Sequence, residues 1–169
     1  VSKTGDPTGE YWLYDFVVST GGLNDYPKIG VWPDAYYATF NEFFASFNAP
    51  VALAFQRDAM LQGLPAAVVR IVDVKTPASG EAPADLGYLD RLAAHDEVKF
   101  VVCSEDDFRW SARVVRDHAL EGRVQVLFSP AWGQVDPRDL ARWMLESGLD
   151  ARLSLQIHKV IWGADVRGV

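Results

Sequence analysis

The sequence predicts an α/β fold: a partial parallel sheet of strand–helix units with an aromatic-rich β segment at the N-terminus. Three observations carry this. β-branched runs recur through the second half of the chain, the stretches between them open with helix-capping residues, and the aromatic residues crowd into the first part. Residues 1–67 hold 13 of the 21 aromatics but only 3 of the 16 Lys and Arg. The composition changes near Pro65-Ala66-Ala67, and a step of this kind suggests a boundary. We therefore expect a segment 1–67, too short to be comfortably stable alone, and an α/β half-barrel-like unit 68–169.

Within the first segment, Tyr11 to Phe16 alternates in the manner of a strand. Asn24 to Lys28 and Gly30 to Asp34 read as turns, and Ala35 to Phe40 as a strand. Asn48-Ala49-Pro50 reads as a break, Val51 to Phe55 as a strand and Asp58 to Gln62 as one helical turn. Trp12, Tyr14, Trp32, Tyr36 and Tyr37 are expected to pack a small core, with binding of a sugar or a flat ring as the alternative. Asp15, Asp25 and Asp34 are expected in turns and on the surface.

In the second segment Val68 to Val74 is a β-branched run stopped by Thr76-Pro77. Glu81 to Leu86 is a loop by composition, and Glu97 to Cys103 is the next strand. Ser104 then supplies a hydroxyl cap and Asp107 an acid for the positive helix end. Phe108, Ala112, Val115 and Ala119 follow at helical spacing, and Gly122 is placed to end that helix. Val124 to Phe128 is a strand. Asp136-Pro137 starts a second helix, with a capping acid and Pro at its first position, and Gly148 ends it. Arg152 to His158 is the expected last strand. Alternation of this kind implies parallel strands, and in such sheets ligands lie beyond the C-terminal strand ends. Those positions are Lys75 to Ser79, Cys103 with Ser104, Ser129 to Gly133, and His158 to Val169.

The net charge of −7 gives no electrostatic footprint for nucleic acid or for an anionic membrane surface. No apolar run approaches the roughly 20 residues that cross a bilayer, and the polar, Gly/Pro-bearing start is not read as a signal peptide. Cys103 is the single cysteine, which excludes an internal disulfide and a cysteine-rich metal site and is compatible with a cytoplasmic setting. The sequence has no Gly-x-Ser-x-Gly elbow and no His-Glu-x-x-His motif; His95, His118 and His158 lie far apart. Asp73 and His158 are a candidate base and orienter across the sheet.

Five stretches stand in a familiar order: Val72 to Glu81, Asp96 to Cys103, Asp106 to Ser111, Leu127 to Pro130, and Leu155 to Trp162. Together they resemble the C-terminal half of 7-carboxy-7-deazaguanine synthases, radical S-adenosylmethionine enzymes that contract a pterin ring. The resemblance covers about residues 68–169. It implies cofactor contacts at Lys75, Thr76, Pro77, Ser79, Ser129 and Pro130, and substrate contacts at His158 and the terminal carboxylate of Val169. In that family three cysteines on the loop after the first strand hold a [4Fe–4S] cluster; this sequence lacks them, and Cys103 sits on a later strand. Residues 6–65 resemble a segment of secreted bacterial β-rich proteins, to which no activity attaches.

The expectation from the two resemblances is a chimeric, recombined or engineered chain with no radical S-adenosylmethionine activity of its own, no iron–sulfur cluster and no metal site. The alternatives are a residual binder of S-adenosylmethionine or of a purine- or pterin-like ring at the strand ends, and an enzyme with a newly selected activity there. An uncovered sheet edge invites a second chain, so a homodimer is expected, with neither nucleic acid nor membrane as a partner.

Overall fold

The computed structural model describes residues 1–18, 22–43, 47–82 and 85–164. The chain divides into two compact units, Val1–Val72 and Asp73–Val169. The fold class is α/β, with an antiparallel first unit and a parallel strand–helix second unit.

In the first unit β1 (Leu23–Val31), β2 (Ala35–Phe43), β3 (Phe47–Gln56) and β4 (Val68–Val74) pair in chain order, each antiparallel to the next. Three expectations are corrected here. Asn24 to Lys28 is not a turn but part of β1, and its turn-like composition appears as a bulge: the register slips between Asp25 and Lys28. Tyr26 takes φ 55° there, and its N–H donates to Asp25 Oδ1 at 2.8 Å. Asp and Asn side chains favour such local bonds, which is why the sequence reads as a turn. Gly30-Val31 likewise ends β1, and only Trp32 to Asp34 turns, closed by Trp32 N–H on Ala35 O at 3.0 Å. Pro50 does not break the chain either. It lies within β3 opposite Asn41, just before the pairing with β4 begins at Val51, where a missing N–H costs the ladder least.

Tyr11 to Phe16 forms no strand; Tyr11 makes one isolated bridge to Ser2. Tyr14 instead reaches α1 (Arg57–Leu61), its hydroxyl lying 3.1 Å from Met60 O and 3.0 Å from Leu64 O. Trp12 stacks against Gly63, which takes φ 68°; a Cβ added there would stand 2.6 Å from the indole. The expected aromatic cluster forms in part. Trp32 is exposed, while Trp12, Tyr14, Tyr36 and Tyr37 line an open groove with Phe16 and Phe55. The buried centre of this unit is aliphatic as much as aromatic: Phe40, Val51, Leu53 and Val72.

In the second unit β5 (Glu97–Val102), α2 (Glu105–Asp117), β6 (Gln125–Pro130), α3 (Pro137–Ser147) and β7 (Arg152–Leu153) alternate, and β5, β6 and β7 pair in parallel. The caps form as read. Ser104 Oγ accepts from Asp107 N–H at 3.2 Å, Asp136 Oδ1 accepts from Arg138 N–H at 2.8 Å, and Gly148 closes α3 at φ 67°. The core is one layer of rings and branched side chains: Phe100 stacks on Phe128 at 5.5 Å, and Phe108 of α2 meets Phe128 at 5.1 Å.

Two more boundaries are corrected. α2 stops at Asp117, five residues before Gly122, because Ala119 turns left-handed at φ 46° and Leu120 goes into the core. Arg123 then fixes the turn by donating to Leu89 O at 2.9 Å and Leu92 O at 3.2 Å. The last strand does not run to His158. β7 ends at Leu153, and α4 (Ile157–Trp162) follows a short link. Leu153, Leu155 and Ile157 alternate, but they are exposed, so the pattern has no buried face to serve.

Candidate functional site

The C-terminal ends of the second unit's strands are tied together by backbone and side-chain bonds. Ala131 N–H donates to Val102 O at 2.8 Å, and Ser154 N–H donates to Phe128 O at 2.8 Å. At the centre sits Asp107, on the first turn of α2 and only 2% exposed. Its Oδ2 accepts from Thr76 Oγ1 at 2.9 Å and from Cys103 N–H at 3.1 Å, and its Oδ1 accepts from Ala78 N–H at 3.0 Å. Thr76 Oγ1 also lies 3.1 Å from Val101 O, so its single proton is shared between two acceptors. Burying a carboxylate is costly unless it is hydrogen-bonded. Here three donors and the N-terminal end of a 13-residue helix supply the compensation.

This network accounts for several residues singled out in the sequence. Thr76 is 1% exposed and committed to Asp107 and Val101. Pro77 opens a 3₁₀ turn, Pro77–Ser79, in which Ser79 Oγ donates to Thr76 O at 2.6 Å. Lys75 Nζ is 2.8 Å from Asp73 Oδ2, both side chains being about a third exposed; exposed pairs of this kind contribute little. Lys75, Thr76, Pro77 and Ser79 thus form one turn held from below by Asp107. Ser129 is fully buried, and its Oγ has no hydrogen-bond partner among the described residues. His158 is the second residue of α4 rather than a strand end; its side chain, and with it the Asp73–His158 pairing, lies outside what is described, as does Val169.

A cleft of about 550 Å³ opens beyond β6 and β7. It is lined by Pro130, Trp132, Val135 and Asp136 from the β6–α3 side and by Leu155, Gln156 and Val160 from the segment after β7. Trp132 is 45% exposed. Among the described residues, Pro130 is the one ligand contact implied by the resemblance that lines this cleft, and Gly133 and Val160 line it from the strand-end stretches Ser129 to Gly133 and His158 to Val169. Trp132 fell inside the loop Ser129 to Gly133, but Gln156 and Val160 follow a different strand, and only the fold brings the two loops together.

Cys103 follows β5 directly, beside Asp107. Burial first, and then the Asp107 charge and a hydrogen bond to it, push its thiol above the ordinary value. Among the described residues no group of three or more His, Cys, Asp or Glu side chains is placed to hold a metal. A lone thiol kept protonated does not fit the three-thiolate ligand set of a cluster.

The raised thiol has a direct consequence. The stability contributed by the neutral thiol is full below its unfolded value near 9.0 and declines as pH rises toward the folded one. Iodoacetamide should alkylate Cys103 with a pH midpoint above that of a free thiol. Asp107→Asn should lower the midpoint only part of the way, because burial is the larger cause; no change in midpoint would refute the assignment.

No protein-family model matches the chain, and no solved structure matches it. Curated relatives do, and all bear one name. The chain is 40% identical over 144 residues to the 7-carboxy-7-deazaguanine synthase of Koribacter versatilis, covering 77% of this chain and 64% of that protein. It is 40% identical over 103 residues to the one from Chlorobaculum tepidum, covering 59% and 47%, and 41% identical over 104 residues to the one from Leptospira interrogans, covering 58% and 43%. The chain therefore spans less than two thirds of these relatives' length. The Koribacter match takes in more of the chain than residues 68–169 make up, so it extends into the first segment. The resemblance to 7-carboxy-7-deazaguanine synthases is real.

Proposed function

We propose that this chain supplies the ligand-holding, C-terminal part of a 7-carboxy-7-deazaguanine synthase-like protein. Its cleft would take a flat nitrogen heterocycle of the purine or pterin kind, including the adenosyl end of S-adenosylmethionine. The observation that carries this reading is the cleft itself: a mainly apolar slot beyond parallel strand ends, lined by the exposed Trp132 together with Leu155 and Val160. Ligands of α/β folds collect at such strand ends, and a few polar groups in an apolar pocket fix orientation.

These 169 residues contain one thiol, so we assign them no cluster and no radical step. Iron–sulfide reconstitution of the chain should give no absorbance near about 400 nm of the Cys-ligated type; a stoichiometric four-iron cluster would overturn this. A recombined origin is a second proposal, favoured by the composition step between residues 1–67 and the remainder; the reach of the Koribacter match into the first segment weighs for continuity instead. A homodimer through an uncovered edge is proposed too, β1 being exposed along its length, and a monomeric sedimentation mass at high concentration would end it.

Binding is tested by titrating the full chain with S-adenosylmethionine and following amide and indole resonances. Shifts should map to Trp132, Leu155 and Gln156. Trp132→Ala should weaken binding by about tenfold, the loss that removing an aromatic stacking face brings. Unchanged affinity in that variant would place the ligand elsewhere.

A further inference from the structure

Asp136 lines the cleft, is exposed, and stands at the N-cap of α3. Its Oδ1 accepts from Arg138 N–H at 2.8 Å, and its carboxylate pairs with no Lys or Arg side chain among the described residues. Among the described residues that line the cleft, it is the one with a formal charge. The first turn of α3 has no free N–H to offer an anion. Pro137 lacks one, Arg138 gives its own to Asp136 Oδ1, and Asp139 and Leu140 donate theirs to Asp136 O at 3.0 and 3.2 Å. The rest of the lining is mainly apolar, and Trp132 adds an exposed indole to it.

We infer that Asp136 makes the cleft selective for a ligand that carries a fixed positive charge, such as a sulfonium, beside its flat ring. The inference rests on the ring-binding reading above and sharpens it: that reading concerns the body of the ligand, and this one its charge. A carboxylate and an indole in one mainly apolar slot are together complementary to an onium cation, which aromatic rings attract. Clefts with low-dielectric walls focus the field of the charges that line them. Direct contact is not required. A space of about 550 Å³ is comparable in width with one Debye length, roughly 8 Å at physiological salt, so a cation held anywhere in it is felt by the carboxylate. A phosphate there meets the same field with the opposite sign.

The test compares S-adenosylmethionine with S-adenosylhomocysteine, which share the ring and differ by the sulfonium methyl and its charge. Calorimetry measures the affinity of the full chain for each. The unchanged chain should prefer the sulfonium by about fivefold at low salt, the size of one exposed charge or cation–π contact, and the preference should shrink as salt is added. Asp136→Asn removes the charge and keeps a residue suited to the N-cap. It should lose most of the preference by weakening S-adenosylmethionine alone, with S-adenosylhomocysteine bound as before. Amide spectra confirm that the variant folds, and the salt series on the unchanged chain needs no variant. A preference undiminished in Asp136→Asn, or one unmoved by salt, would overturn the assignment to Asp136 while leaving ring binding intact. Equal binding of the two compounds by the unchanged chain would do the same. Failure to bind either would overturn this inference and the ring-binding reading together.

Discussion

The buried carboxyl group of Asp107 is the constraint on which the ligand-facing end of the second unit depends. It lies where three chain segments end: the turn after β4, the last residue of β5's run, and the first turn of α2. A side chain there that could only pack would leave Ala78 N–H, Cys103 N–H and the Thr76 hydroxyl to find other partners. Charge-assisted bonds are stronger than neutral ones, so one residue fixes two backbone amides and one side-chain hydroxyl at once. The acid that the sequence suggests as a favourable helix-end charge is in this structure a structural hub.

Holding that end rigid has consequences beyond the turn itself. Val102 O takes the N–H of Ala131, and Phe128 O takes that of Ser154. The β6–α3 loop and the β7–α4 link are therefore each anchored to the neighbouring strand. Trp132 and Gln156, one on each anchored segment, both line the same cleft. Sites placed on rigid elements hold their geometry better than sites on free loops, and here both segments of the lining are anchored. Beneath them the Phe100, Phe108 and Phe128 cluster keeps strands and helix at fixed spacing.

What the sequence made legible was what local chemistry decides. Ser104, Asp136, Pro137 and Gly148 mark helix ends by their own bonding preferences, and all four sit where they were read. Arg152 to His158 misled because alternation is a strand signal only when one side is buried; Leu153 and Ile157 are both exposed. β1 was missed for the opposite reason. An exposed strand with Pro27 and a bulge at Asp25 has the composition of a turn. Pro50 was over-read because a proline forbids only the ladder bond it would have donated. Of the site, Pro130 and the loop holding Trp132 were visible from the strand-end rule. Gln156 was not, since nothing local distinguishes a glutamine whose oxygen is buried. The Lys75 to Ser79 turn was named for ligand contact, and its hydroxyls are spent on the turn's own structure.

The central claim is that Asp107 holds the strand ends, and amide hydrogen exchange at Ala78 and Cys103 tests it most directly. Ala78 lies in an exposed turn, where an amide without a partner exchanges quickly. The account predicts that both amides are protected in the unchanged chain and that Asp107→Ala removes protection from both while the core amides of Phe100 and Phe128 keep theirs. Fast exchange at Ala78 in the unchanged chain, or protection that persists in Asp107→Ala, would contradict it.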